Sequence, residues 1–447
     1  MSDRPNWAPD TWRRFEALYQ PEYEDLDSYD RVLERIRGLP PLVMPAEVEE
    51  LKQNLVAAGR GEAFVLQGGN CAETFADCNS DSIANKLRIL LQMSLILRYG
   101  TRKPVVRIGR IAGQYAKPRT VATETIGGEE LPTYRGDAVN SWEPIPSARR
   151  PDPQRLLDSY FHAASVLNHI RALLLAGFAD LHHPFNWNVV TSGNCEAWAE
   201  YEGIVERILD AIDFMESIGG VRGEALGKVD FYTSHEGLLL GFEEAMTRKD
   251  EETGGFYDLS AHLPWIGART IGPGSAHVEF FRGVRNPIGV KVGPDAGPEI
   301  VIPLLEALNP HNEEGRVVLI TRLGAGRVEE TLPSLVRSVV GMGMHVVWSC
   351  DPMHGNTVRT ADGVKTRDFS VILDELTRTH RLLGIHGAHL GGVHFELTAQ
   401  NVTECIGGAE DLTSADLNQK YQTYCDPRLN NSQSLQIAFQ IARMLGV

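Results

Sequence analysis

No stretch of this chain approaches the roughly 18 unbroken apolar residues of a membrane-spanning helix, and the opening MSDRPNWAPDTWRR carries no apolar core of a secretory signal. Basic residues are in deficit, 43 Lys and Arg against 59 Asp and Glu, for a formal charge of −16. A nucleic-acid backbone or an anionic membrane surface demands the reverse balance, so neither is expected as a partner. The six cysteines form no CxxC pair and are too few for a disulfide framework in 447 residues. A reduced, cytoplasmic setting is the expectation. No HExxH zinc motif occurs, and no GxGxxG follows the first apolar run, which removes the usual dinucleotide fingerprint.

What is present is a series of eight short apolar runs. They are residues 63–73, 104–114, 229–236, 262–270, 287–294, 316–324, 345–355 and 392–398. Each begins rich in Val, Ile, Leu or Phe, as a parallel strand buried on both faces requires. Each ends in chemistry: Cys71, Arg110, His235 with Glu236, Arg269, Lys291, Arg322, His354 and Glu396. In a (β/α)8 barrel all such ends converge on one face, where active sites sit. The pattern therefore predicts an α/β enzyme built on a TIM barrel. A doubly wound open sheet is the alternative, but it has no need of eight similar strand ends.

The chain exceeds the roughly 250 residues of a plain barrel. Residues 1–60 read as an N-terminal extension, with helices expected over 28–37 and 45–58, and the barrel as 61–447. Between the second and third runs lie too many residues for one crossover. Here the sequence predicts a Gly/Pro-punctuated loop at 121–152, a helix at 153–176, a break at 183–188 and a helix over 195–218. Extra helices inserted within about 121–195 follow. Later crossover helices are expected at 237–247, 298–308, 328–340 and 369–383, with a closing helix at 432–445.

Two constellations emerge at the strand ends. Cys71, His354, Glu396 and Asp426 form a donor set of mixed softness suited to a divalent transition metal such as Mn, Fe, Co or Zn. Taken singly, each could be a buried thiol, a turn cap or an ion-pair carboxylate. The second set is Arg110, Arg269, Lys291 and Arg322, with Lys117 and Arg119 beyond them. Cations gathered in one pocket repel unless anions fill it, so they point to a small anionic substrate and a second anionic group further out. Lys291 is also the candidate nucleophile for a Schiff base. A silent barrel that only binds an anionic metabolite would lack one of these groups, and none is missing.

The segments QGGNCAET, RIGRIAGQYAKPR, TSHE, LPWIG, VKVGP, ITRLGAG, CDPMHGNT, KTR, HFELT and CDPRLN, in that order, resemble class II (plant-like) 3-deoxy-D-arabino-heptulosonate-7-phosphate (DAHP) synthases. The resemblance runs from about residue 10 to the C-terminus. It implies a metal-dependent barrel enzyme that condenses phosphoenolpyruvate with erythrose 4-phosphate and releases phosphate, the first step of the shikimate pathway to aromatic amino acids. It assigns Cys71, His354, Glu396 and Asp426 to one divalent metal ion (Mn, Co or Zn, with Mn favoured). Arg110, Ala268, Arg269, Lys291 and Arg322 fall to phosphoenolpyruvate, and Lys117, Arg119 and Lys365 to the aldose phosphate. Lys291, His354 and Glu236 are the candidate catalytic groups. A homo-oligomer (dimer or tetramer), an aromatic amino-acid effector and a chorismate mutase partner are further expectations. In one respect the sequence departs from the pattern: Ala268 stands where the family has Glu, and the following IGPGS (271–275) is also unusual.

Overall fold

The protein is described by a computed structural model covering residues 6–179, 199–207, 209–210 and 230–446. All eight apolar runs contribute a strand to one parallel sheet: β1 (Phe64–Gly69), β2 (Val105–Arg110), β3 (Tyr232–Thr233), β4 (Trp265–Ile266), β5 (Ile288–Val292), β6 (Val317–Thr321), β7 (Val347–Cys350) and β8 (Gly392–Glu396). Their order is β3-β2-β1-β8-β7-β6-β5-β4. The two ends of that order meet, because Glu236 bridges Trp265 and Thr233 O accepts from Leu263 N at 3.1 Å. The sheet is thus a closed (β/α)8 barrel.

Side chains alternate across the wall, as a period of two requires. Val65, Val106, Ile108, Val318, Ile320 and Val347 pack together inside, and Leu66, Val290, Leu319, Val393 and Phe395 pack outward under the helices. Leu51, Leu55 and Ala58 join the inner group. They belong to α2 (Pro45–Gly59), which follows α1 (Leu26–Arg37), so the extension packs into the barrel core instead of hanging from it. Full burial of each leucine stabilises this by about 1.5–3 kcal/mol.

The crossover helices are α3 (Ser80–Thr101), α4 (Gln154–Leu175), α5 (Leu240–Met246), α6 (Ala276–Phe281), α7 (Pro298–Leu308), α8 (Val328–Gly341) and α9 (Phe369–Ile385), and α10 (Asn431–Leu445) closes the chain. Asn79 caps α3 by accepting from Ser82 N at 3.0 Å, and Asn430 caps α10 from Gln433 N at 2.9 Å. A Cβ at Gly100 would lie 2.5 Å from Ala442 Cβ, so this glycine lets α3 and α10 touch.

Several elements differ from the sequence reading. The expected loop at 121–152 contains a hairpin, Thr123–Ile126 against Glu129–Pro132. Gly127 and Gly128 form its turn with φ of 60° and 85°, the geometry a tight hairpin needs. Its strands are too polar to show an apolar signal. The short α6 and a second hairpin, Thr247–Lys249 with Phe256–Asp258, were not anticipated. The expected break at 183–188 lies outside the described residues, and the helix expected over 195–218 is described only at its helical residues 199–207 and 209–210.

Candidate functional site

Counting along the interior-facing positions of each strand leads straight to the site. Ile108 is followed by Arg110, Gly289 by Lys291, His394 by Glu396, and Ile320 by Arg322. Gly69 pairs with Arg110 on one side and Glu396 on the other. Added to Gly69, a Cβ would fall 2.6 Å from Arg110 O, so the glycine lets its two neighbours meet. Arg110 Nη2 reaches Glu396 Oε1 at 3.2 Å.

Glu396 is the hub. Arg367 Nη1 donates to its Oε2 at 2.7 Å, His354 Nε2 lies 3.0 Å from Oε1, and Lys117 Nζ lies 3.8 Å away. Burial alone would push this carboxyl up, but His354, Arg367, Lys117 and Arg110 outweigh it and hold it well below its ordinary range. Asp426 bonds Lys117 and Lys365, each at 3.0 Å, and Lys117 above all pulls its pKa down. Cys71 Sγ lies 3.5 Å from Asp426 and accepts from Lys117. Burial, with the Cys425 thiol beside it, pushes the Cys71 thiol up.

Cys71, Glu396 and Asp426 bring one ligand atom each within 4.8 Å of one another. His354 borders this trio through Glu396 and is not an equal corner of it. One thiol, one imidazole and two carboxylates, gathered about the Lys117 cation, form a donor set that fits a divalent transition metal. Asp351 orients the imidazole: its Oδ2 lies 2.7 Å from His354 Nδ1 and accepts from Lys291 Nζ at 2.8 Å.

Beside the trio opens a cavity of about 800 Å³. Seven basic side chains line it (Lys117, Arg119, Arg269, Lys291, Arg322, Arg359 and Lys365) against the three carboxylates of Glu124, Glu236 and Asp426. Burial, opposed by Asp351, lowers the pKa of Lys291. Arg322 donates through Nη2 to His354 O at 2.9 Å, while its buried Nε meets no acceptor among the described residues. Arg269 is exposed, with Nη1 on Pro118 O at 3.1 Å. Arg119 donates from Nε to Tyr134 O at 2.8 Å. Glu236 projects from the opposite wall beside Gly267 and Ala268, and burial raises its pKa despite Lys291 and Lys117.

Arg110 is placed differently from the other expected substrate groups. It is 1% exposed, absent from the cavity lining, and committed to Asn70 O, Cys71 O, His394 and Glu396. In this structure it braces Glu396 from behind. The unusual 271–275 turn leads into a helix cap. Ser275 Oγ caps α6 by accepting from Val278 N at 3.2 Å, and Glu16 O accepts from Ala276 N at 3.1 Å.

Four participants escaped the sequence reading. Asp351 and Arg367 stand in the quoted CDPMHG and KTR segments, and His394 lies two positions before Glu396, yet composition gave no sign of their partners. Arg359 sits on the hairpin Val358–Arg359 with Lys365–Thr366 at the mouth, and a basic residue in a polar loop is unremarkable by sequence.

Comparison with known proteins agrees with the geometry. Residues 7–442 match the Class-II DAHP synthetase family. A "Phospho-2-dehydro-3-deoxyheptonate aldolase" from Streptomyces coelicolor is 46% identical over 98% of this chain and 97% of its own. One of the same name from Neurospora crassa is 45% identical over 98% of this chain and 94% of its own. A truncated 3-deoxy-D-arabino-heptulosonate 7-phosphate synthase from Thermotoga maritima, at 12% identity, covers 86% of this chain and 89% of that chain with a TM-score of 0.31. That overlap is too slight to bear on the barrel, which rests on the strand order. With the family matched over nearly its whole length and two relatives near half identity, this chain belongs to the Class-II DAHP synthetase family and is an enzyme that forms a carbon–carbon bond.

Proposed function

We propose that the protein condenses phosphoenolpyruvate with erythrose 4-phosphate, releasing inorganic phosphate, in a metal-dependent reaction. The observation that carries this reading is the cation-lined cavity set against the Cys71, Glu396 and Asp426 trio. Two anionic substrates meeting there would neutralise charges that otherwise repel.

A divalent metal held by Cys71, His354, Glu396 and Asp426 would act as a Lewis acid on the aldehyde of the aldose phosphate. Manganese is the favoured ion, with cobalt or zinc as substitutes. Lys291, Arg322 and Arg269 hold the phosphate and carboxylate of phosphoenolpyruvate, and Arg110 supports them by fixing Glu396. Lys117, Arg119 and Lys365 face the second phosphate, and Arg359 extends that rim. So held, C3 of phosphoenolpyruvate attacks the aldehyde carbon, a gain in proximity. Water adds at C2, and the resulting hemiketal phosphate collapses to phosphate and the seven-carbon product. The same cations stabilise the departing phosphate. Glu236, its pKa raised by burial, is positioned to move a proton on the wall where Ala268 offers none; His354 and Lys291 are the other candidates.

The reading extends to a cytoplasmic enzyme of aromatic biosynthesis, assembled as a dimer or tetramer and open to inhibition by an aromatic amino acid or to a chorismate mutase partner. No described helix is long and apolar enough to cross a membrane. The test follows phosphoenolpyruvate consumption with erythrose 4-phosphate after chelation and after restoring Mn, Co or Zn. Consumption that needs both the aldose and the metal is expected. A folded protein that turns over with no metal restored, or without the aldose, would sink the reading.

A further inference from the structure

The carboxyl of Glu236 makes no hydrogen bond or ion pair with any described residue, so its aim depends on the backbone that carries it. At Glu236 and its neighbour that backbone is fixed: Glu236 N donates to Gln114 Oε1 at 2.8 Å, and Gly237 N donates to Trp265 O at 3.0 Å. A Cβ at Gly267 would lie 2.1 Å from Glu236 Oε1, so the opposing wall leaves the carboxyl just enough room. Downstream the chain turns through 237–239 into α5, and the Leu238 carbonyl and Leu240 N–H take no part in strand or helix backbone bonding; His277 Nε2 of α6 lies 3.1 Å from Leu238 O, while the Leu240 N–H is left to a side chain. A buried peptide group without a partner costs about as much as a lost hydrogen bond.

One side chain from outside the barrel reaches both. Gln20, in the N-terminal extension, donates from Nε2 to Leu238 O at 2.7 Å and accepts at Oε1 from Leu240 N at 3.2 Å. Its own carbonyl accepts from Arg135 Nη1 at 3.1 Å, and Arg135 O accepts from Lys117 N at 2.8 Å. The extension is itself anchored on α5: Trp12 Nε1 and Arg13 Nε each donate to Glu244 at 2.9 Å, and Arg37 Nη2 at 3.3 Å. A single residue, through its side-chain amide and its main-chain carbonyl, therefore ties the extension to the segments bearing Glu236 and Lys117.

We propose that Gln20 is a positioning residue for the reaction, holding the 236–240 turn so that Glu236 faces the substrates. The extension is then a working part of the site. The proposal rests on the reading of Glu236 as a proton-transfer group, and the experiment separates the two. Steady-state kinetics and melting temperatures are measured for Gln20→Leu, Glu236→Gln and the double variant, with Gln20→Glu, which keeps only the acceptor, as a second probe of the bond. Misplacing a catalytic group by an ångström can cost up to about a hundredfold. Gln20→Leu is expected to lower kcat about tenfold while KM for phosphoenolpyruvate stays within about twofold. In the Glu236→Gln background the same change should have no further effect, because the group it positions is gone. If Gln20→Leu lowers only the melting temperature, or if the two losses multiply, the positioning role is overturned. If Glu236→Gln alone keeps the wild-type kcat, the reading of Glu236 fails and takes the proposal with it.

Discussion

The two halves of the barrel mouth are built differently. Where β7, β8 and β1 end, charges are packed against one another: Glu396 meets Arg110, Arg367, Lys117 and His354, and Asp426 meets Lys117 and Lys365. Where β3 and β4 end, the charged groups that line the cavity stand almost alone. Glu236 has no bonded partner among the described residues, and Arg269 is exposed with one backbone contact. The crowded half is organised before any substrate arrives, at the cost of desolvating many charges. The open half must take its partners from the substrates, and its geometry is imposed from behind by the extension.

That contrast can be broken most severely at Glu396. Glu396→Leu strips the anion from two buried arginines and Lys117, and removing one member of a buried pair costs about 3–5 kcal/mol. Urea denaturation should show a loss of that size, with activity abolished. A loss below about 1 kcal/mol would mean that the crowded half is not held by its charges. Next in size is Arg322→Ala, on the border between the halves. Loss of one donor to a developing charge typically costs about 10²- to 10³-fold in kcat, and kcat/KM for phosphoenolpyruvate should fall by that factor.

The third test concerns how the Arg322 loop is held. Glu375 Oε1 accepts from Leu323 N at 2.8 Å and Gly324 N at 2.9 Å, and burial pushes its pKa from 4.5 up to about 7. The folded protein therefore keeps a proton that the unfolded chain releases. This contribution is complete below 4.5 and is lost as pH rises through about 7, at about 1.4 kcal/mol for each tenfold difference in proton affinity between the folded and unfolded chain. Denaturation midpoints should fall over that window in the wild type and stay flatter in Glu375→Gln. Equal slopes would show that Glu375 does not carry the effect. The smallest effect is expected in the open half. Arg269→Ala should leave stability within about 0.5 kcal/mol while raising KM for phosphoenolpyruvate about tenfold, which is about 1.4 kcal/mol of binding. A large stability loss there would erase the difference between the halves.

Much of this was legible in the chain. Parallel strands buried on both faces must be written as apolar runs, and the residue that breaks each run is the one leaving the core. Lys291, Arg322 and Glu396 were found in that way. Arg110 was found by the same signal, yet its surroundings could not be read: only the register of β1 between β2 and β8 shows that it faces Glu396 through Gly69. Asp351, Arg367 and His394 escaped because an isolated charge or imidazole carries no mark of its partner. The hairpin at 123–132 escaped because its strands are solvated.

The eight barrel strands and their succession along the chain, the net negative charge and the residue types at the mouth are written in local periodicity and composition. Tertiary structure alone decided who pairs with whom: that Glu396 is the hub, that Arg110 is a brace, and that Gln20 reaches across more than two hundred residues to the Glu236 turn. The physical reason is that burial patterns repeat along the chain and can be read there, whereas the partner of a charge or a stranded peptide group is chosen in space.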